Sequence, residues 1–246
     1  MEPPRRSVLE TARARKAMPA DSVPPLVIEP PVVQVAIDVL TIDAALRIGE
    51  AACQAGADWL EAGTPLITFE GVRAIGALAQ AFPGKPVLAD FKMMDGVAKY
   101  VLETARQGGR IATICSVASD ASLRAAVAAG RECGVRIISD LYAAPDGPRR
   151  AREVIALGVD SAYIHYGADQ RNEDPHHDPL LFLNECRGLG APIGVGTFSV
   201  EDGVRAVQGG ADIVVIGVPL IQASDPAAEL REYVVRAREA WHARQP

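Results

Sequence analysis

The chain has 246 residues, 49% hydrophobic and 5% aromatic, enough for one α/β barrel or two small domains with a sizeable core. A formal charge of -6 offers no basic coat for nucleic acid or an anionic membrane and favours a small soluble substrate. Cys53, Cys115, Cys133 and Cys186 are scattered without a Cys-x-x-Cys pair, as expected of reduced thiols in the cytoplasm, and no apolar run is long enough to span a bilayer.

Residues 1–31 read as an arm outside the core. Pro3-Pro4, Pro24-Pro25 and Pro30-Pro31 bracket a short helical pattern over Ser7 to Ala17, and early charges such as Arg5, Arg6 and Lys16 leave no apolar core for a secretory signal. Residues 32–246 read as one domain. Apolar runs recur at Val33–Ile37, Trp59–Leu60, Val87–Ala89, Ile111–Cys115, Arg136–Ser139, Ser161–Ile164, Pro192–Val195 and Ile213–Ile216, separated by Ala-rich helical patterns. Apolar strands alternating with helices are what a parallel sheet buried on both faces requires. The joins Gln54-Ala55-Gly56-Ala57-Asp58, Ala156-Leu157-Gly158-Val159-Asp160 and Gln208-Gly209-Gly210-Ala211-Asp212 repeat one helix-to-strand turn. The eightfold alternation predicts a (β/α)8 TIM barrel over an open doubly wound sheet, since no Gly-x-Gly-x-x-Gly follows the first strand.

Functional groups of such a barrel stand at the C-terminal strand ends. Polar residues expected there are Asp38, Glu61, Asp90, Lys92, Asp95, Ser116, Asp140, His165 and Thr197, together with Gly217. Alternation places Asp90 and Lys92 on one side of an extended segment, with Asp95 opening the next helix. A lysine between acids suits proton transfer, or equally a surface ion pair. Glu61 and Asp90, on neighbouring strands, offer hard oxygen ligands for Mg²⁺, or else two carboxylates satisfied by backbone donors and lysine. His165 reads as either a catalytic or a hydrogen-bonded core histidine. His176 and His177, beside Glu173, Asp174 and Asp178, suggest either a second metal site or a solvated loop.

Four segments together resemble the orotidine monophosphate decarboxylase superfamily, in its branch of 3-hexulose-6-phosphate synthase and 3-keto-L-gulonate-6-phosphate decarboxylase. They are Gln34-Val35-Ala36-Ile37-Asp38, Glu61-Ala62-Gly63-Thr64-Pro65-Leu66-Ile67, Ala89-Asp90-Phe91-Lys92-Met93-Met94-Asp95 and His165-Tyr166-Gly167-Ala168-Asp169-Gln170. The resemblance implies a homodimeric barrel with shared active sites. It assigns Mg²⁺ to Glu61 and Asp90, the enediolate's neighbour to Lys92, substrate hydroxyls to Asp38 and proton transfer to His165, and it sends Asp95 into the neighbouring subunit's site. Ala168 stands where the decarboxylase pattern has arginine, which favours the synthase: a Mg²⁺-dependent carbon–carbon lyase adding formaldehyde or a small aldehyde to a ketose phosphate.

The sequence also departs from the family. Relatives hold phosphate on diglycine turns after the last two strands, where this chain has Gly196-Thr197-Phe198-Ser199 and Gly217-Val218-Pro219. Phosphate is then held by Gly217 and the Thr197 and Ser199 hydroxyls, or the substrate is not the usual sugar phosphate. A β-keto acid decarboxylase, an isomerase or epimerase, and a catalytically silent barrel that binds a metabolite or partner remain rivals.

Overall fold

The computed structural model describes residues 27–244. Eight parallel strands close into a barrel in sequence order, confirming the (β/α)8 architecture. The elements are β1 (Val32–Ile37), α1 (Ile42–Ala55), β2 (Trp59–Ala62), α2 (Thr64–Glu70), α3 (Arg73–Ala81), β3 (Val87–Met93), α4 (Ala98–Arg106), β4 (Ile111–Cys115), α5 (Asp120–Cys133) and β5 (Arg136–Asp140). They continue with α6 (Gly147–Ala156), β6 (Ser161–Ile164), α7 (Ala168–Glu173), β7 (Ile193–Thr197), α8 (Val200–Gly209), β8 (Ile213–Ile216) and α9 (Pro226–Arg244). The helical pattern over Ser7 to Ala17 lies outside the described residues. Among those residues, no helix is long and apolar enough to cross a membrane.

The repeated joins have a physical explanation. Gly56 and Gly210 end α1 and α8 at φ 92° and 105°, a left-handed turn that glycine adopts without a Cβ penalty. The aspartate that closes each join then ties the new strand to the preceding one. Asp58, Asp160 and Asp212 accept the amides of Val33, Ile137 and Ile193 at 2.8, 2.8 and 2.9 Å. Their own amides donate to the carbonyls of those same three residues.

Two cores result. Apolar strand faces pack outward on the helices, while Val32, Trp59, Leu88, Ile111, Ile138, Tyr163 and Ile213 form a floor inside the barrel. Strand β7 supplies Gly194 at this level, in register with Tyr163 and Ile213. Glycine is required there because a Cβ would meet the Tyr163 ring at 2.4 Å.

Two elements differ from the sequence expectation. β3 runs past Ala89 to Met93, and four steps along it, Ala89 to Met93, face only two of β4, Ala112 to Ile114. This bulge puts Lys92 at φ 46°, a sparsely populated conformation for a residue with a side chain. Asp95 does not open the next helix: α4 begins at Ala98 with Val97 at its N-cap, and Asp95 lies exposed in the preceding bend.

Tyr163 links floor to site by donating its hydroxyl to Gln34 Oε1 at 2.7 Å, both residues being buried. Tyr163→Phe leaves that carbonyl oxygen unpaired and is expected to cost about 1–3 kcal/mol. Urea denaturation measures it; an unchanged midpoint would remove this bond from the barrel's stability.

Candidate active site

Two residues beyond each floor side chain, every strand points its next inward residue into a pocket of about 120 Å³. These residues are Gln34, Glu61, Asp90, Thr113, Asp140, His165, Gly196 and Val215, with Asp38 and Lys92 above them. The structure therefore brings together five predicted residues from strand ends, Asp38, Glu61, Asp90, Asp140 and His165, with Lys92.

Lys92 is the centre of this layer. Its ammonium pairs closely with Asp90 Oδ2, lies 3.8 Å from Asp140 Oδ2, and donates to Thr64 Oγ1 at 3.2 Å. Burial pulls the ammonium pKa down, but Asp90, Asp140 and Glu61 outweigh it and hold Lys92 charged, above its ordinary range. Thr113 supports the bulge: its hydroxyl donates to Asp90 Oδ1 at 2.7 Å and accepts the Lys92 amide at 3.0 Å. Thr64 donates to Asp90 Oδ2 at 2.6 Å.

His165 Nδ1 is 2.9 Å from Asp140 Oδ2, and Asp140 Oδ1 accepts the Tyr142 amide at 2.9 Å. Burial lowers the His165 pKa, and Asp140 more than restores it, so the imidazole keeps a proton above its usual range. Asp140 is correspondingly lowered: burial acts upward, but His165 and Lys92 prevail. The Asp140 contact orients the ring and leaves Nε2 as the nitrogen for substrate.

Glu61 is buried, accepts from Gln34 Nε2 at 2.5 Å, and is pushed well above its usual range by desolvation, then by Asp90 and Asp38. Asp38 is raised by desolvation and then by Asp90, against Lys92 and His165, although its side chain opens to solvent at the rim. Gly63 leaves that carboxylate its place, since a Cβ there would meet Asp38 Oδ1 at 2.1 Å.

Above this layer the space widens into an outer cleft of about 480 Å³, which Thr197, Phe198, Gly217 and Val218 help to wall. Here several expectations are corrected. The Thr197 hydroxyl donates to Val215 O at 2.8 Å or pairs with Tyr233 at 2.6 Å and is buried, so it is not free for phosphate. Ser199 caps α8 through the Asp202 amide and is not part of the cleft wall. Ser116 is buried and lines neither space. Asp95 also lies outside both. Of the His176–His177 loop, the His177 ring stacks on Tyr166, with Nδ1 3.6 Å from Asp174 Oδ2.

Gln34, Thr64, Thr113 and Tyr163 escaped the sequence reading as functional residues. A polar residue inside an apolar strand run was the available signal for Gln34 and Thr113.

Asp140→Asn should let burial dominate and drop the His165 pKa below its ordinary value, read by NMR titration of the imidazole. An unmoved value would show that Asp140 does not set the charge of His165.

Residues 31–233 match the model of the Orotidine 5'-phosphate decarboxylase / HUMPS family. The 3-hexulose-6-phosphate synthase of Mycobacterium gastri is 35% identical over 205 residues, covering 81% of this chain and 96% of that protein. The crystal structure of 3-hexulose-6-phosphate synthase from Salmonella typhimurium superposes with a TM-score of 0.77 at 28% identity, over 87% of this chain and all of that one (100%). That of 3-keto-L-gulonate-6-phosphate decarboxylase from Vibrio cholerae shares the fold, with a TM-score of 0.76 at 21% identity over 88% and 100%. By the extent of these matches and the strand ends they cover, the chain belongs to the Orotidine 5'-phosphate decarboxylase / HUMPS family.

Proposed function

We propose that this family member, a lyase, adds formaldehyde or another small aldehyde to a ketose phosphate through an enediolate, in the manner named for its hexulose-phosphate synthase relatives. The observation that carries the reading is Lys92, fixed as an ammonium between Asp90 and Asp140 beside the histidine that Asp140 orients. Such a group stabilises negative charge as it develops on substrate oxygen.

Mg²⁺ belongs to the same proposal, with Glu61 and Asp90 as its carboxylates. The donors suit a hard dication that keeps several waters and takes only one or two carboxylates. Buried Glu61, raised by neighbouring acids, marks an excess of negative charge that such an ion offsets. When bound, it lends positive charge to the enediolate oxygens.

The chain's residues supply the rest. A proton leaves the carbon beside the ketose carbonyl, the enediolate carbon bonds to the aldehyde carbon, and the aldehyde oxygen takes a proton. His165 moves the proton through Nε2, Lys92 faces the oxyanion, and Asp38 holds a substrate hydroxyl. Asp95, exposed and outside its own cleft, acts in the site of a second copy within a homodimer.

The test is an assay with Mg²⁺, ribulose 5-phosphate and formaldehyde, following hexulose 6-phosphate. Asp90→Asn and Lys92→Ala are expected to lose activity by roughly 10²-fold or more while remaining folded. Carbon dioxide release from a β-keto acid, with no use of aldehyde, would overturn the aldol reading. Mixed dimers of Lys92→Ala and Asp95→Asn subunits should regain activity that neither parent has. No recovery on mixing would return Asp95 to a surface role.

A further inference from the structure

The charged layer and the outer cleft occupy the C-terminal end of the barrel. At the opposite end, where β7 and β8 begin, loop residues 187–192 and the join after α8 border a further cavity of about 600 Å³. Arg187, Gly188, Gly190, Gln208, Asp212 and Arg244 are among its walls. Its volume is that of a small-molecule site.

The two arginines are held by neutral acceptors. Arg244 Nη1 donates to Val207 O at 2.8 Å, and Arg187 Nε donates closely to Gly209 O, both carbonyls of the last turn of α8. The Arg244 guanidinium carbon also lies 4.5 Å from the centre of the Trp241 ring. Asp212, the one acid lining this cavity, turns Oδ2 to the Ile193 amide at 2.9 Å. It feels the charge of Arg244, but among the described residues no carboxylate comes within ion-pair distance of either arginine. Both Nη groups of Arg187 are thus left without an acceptor among those residues, as are Nε and Nη2 of Arg244. On a chain of formal charge -6, this is a local excess of fixed positive charge.

The loop beside them adds donors. It turns through Gly188 and Gly190 at φ 71° and 86°, a conformation that glycine adopts readily. Among the described residues the amides of Gly188, Gly190 and Ala191 donate to no protein acceptor. Pro192 O, next in the chain, accepts the Ser161 hydroxyl at 2.9 Å and ties the loop to β6. We infer that this cavity is a second binding site, in which Arg187 and Arg244, with these loop amides, hold the phosphate groups of an anionic small molecule. Guanidinium–phosphate bonds are charge-assisted and can be bidentate, stronger than neutral hydrogen bonds. The site lies apart from the catalytic layer and does not depend on the lyase reading.

Amide NMR of the whole chain, titrated with inorganic pyrophosphate, tests the inference. The Gly188, Gly190 and Ala191 signals should shift saturably, and the melting temperature should rise because the anion favours the folded state. Arg187→Met and Arg244→Met should each weaken this binding by roughly tenfold, while lyase turnover without pyrophosphate stays at the wild-type level. Signals of the inner layer, His165 among them, report separately on any anion in the catalytic cleft. The inference is wrong if the three loop amides stay unmoved at millimolar pyrophosphate, or if they move equally in the wild type and both variants. Should Arg187→Met fail to fold for want of its bond to Gly209 O, Arg244→Met, changed only at the last turn of α9, decides alone. Saturable loop shifts in a chain without lyase turnover would sink the function proposed above and leave this site standing.

Discussion

Two residues of extended chain separate each inward side chain of the barrel floor from the group above it in the pocket. Val32 leads to Gln34, Trp59 to Glu61, Leu88 to Asp90, Ile111 to Thr113, Ile138 to Asp140 and Tyr163 to His165. Successive strand side chains alternate between faces, so a floor seated in a dry barrel dictates which residues meet over it. A slip of one residue in β2, β3 or β5 would turn Glu61, Asp90 or Asp140 away from the pocket and toward the helices. The hydrophobic energy of the floor thus also sets the catalytic geometry, and the Tyr163–Gln34–Glu61 chain joins the two layers directly.

What that geometry assembles is unfavourable by itself. Asp38, Glu61, Asp90 and Asp140 crowd around one ammonium and one imidazole, and burying charge is tolerated only when each group is paired and hydrogen-bonded. Asp90 meets this condition through Thr64, Thr113 and Lys92, and Asp140 through Tyr142, His165 and Lys92. Glu61 meets it least. Its acid neighbours and burial act in the same direction, which makes it the point where added positive charge gains most. The left-handed backbone at Lys92 belongs to the same arrangement. It falls within the register shift between Ala89 and Met93, where Thr113 accepts the Lys92 amide.

Most of the inner layer was legible because strand-end acids are conspicuous beside apolar runs, and the step from run to pocket is short. Glu61 and Asp140 follow from their strands alone. Lys92 reached the expected side by a different route, since simple alternation does not foresee a bulge. Asp95 was misread because an acid shortly before a helix resembles an N-cap, while the helix starts three residues later. Thr197 was misread for a related reason. Its position at the end of β7 is as predicted, but its hydroxyl is drawn down to Val215 and to Tyr233 of α9, a partner too distant in sequence for local patterns to reveal.

The two ends of the cleft follow different rules. In the inner layer Glu61, Asp90, Asp140 and His165 are each bonded to a group from a neighbouring strand or strand end, so a change at one site disturbs the pairing of several charges. The outer wall is built from loop residues after β6, β7 and β8, where a side chain answers mainly to its own loop. Phe198 and Val218 stand on this wall, apart from the hydrogen bonds that hold Lys92 and His165. In this arrangement the charged layer is carried by the barrel and the outer wall largely by the loops, and the second can change while the first is held by the floor beneath it.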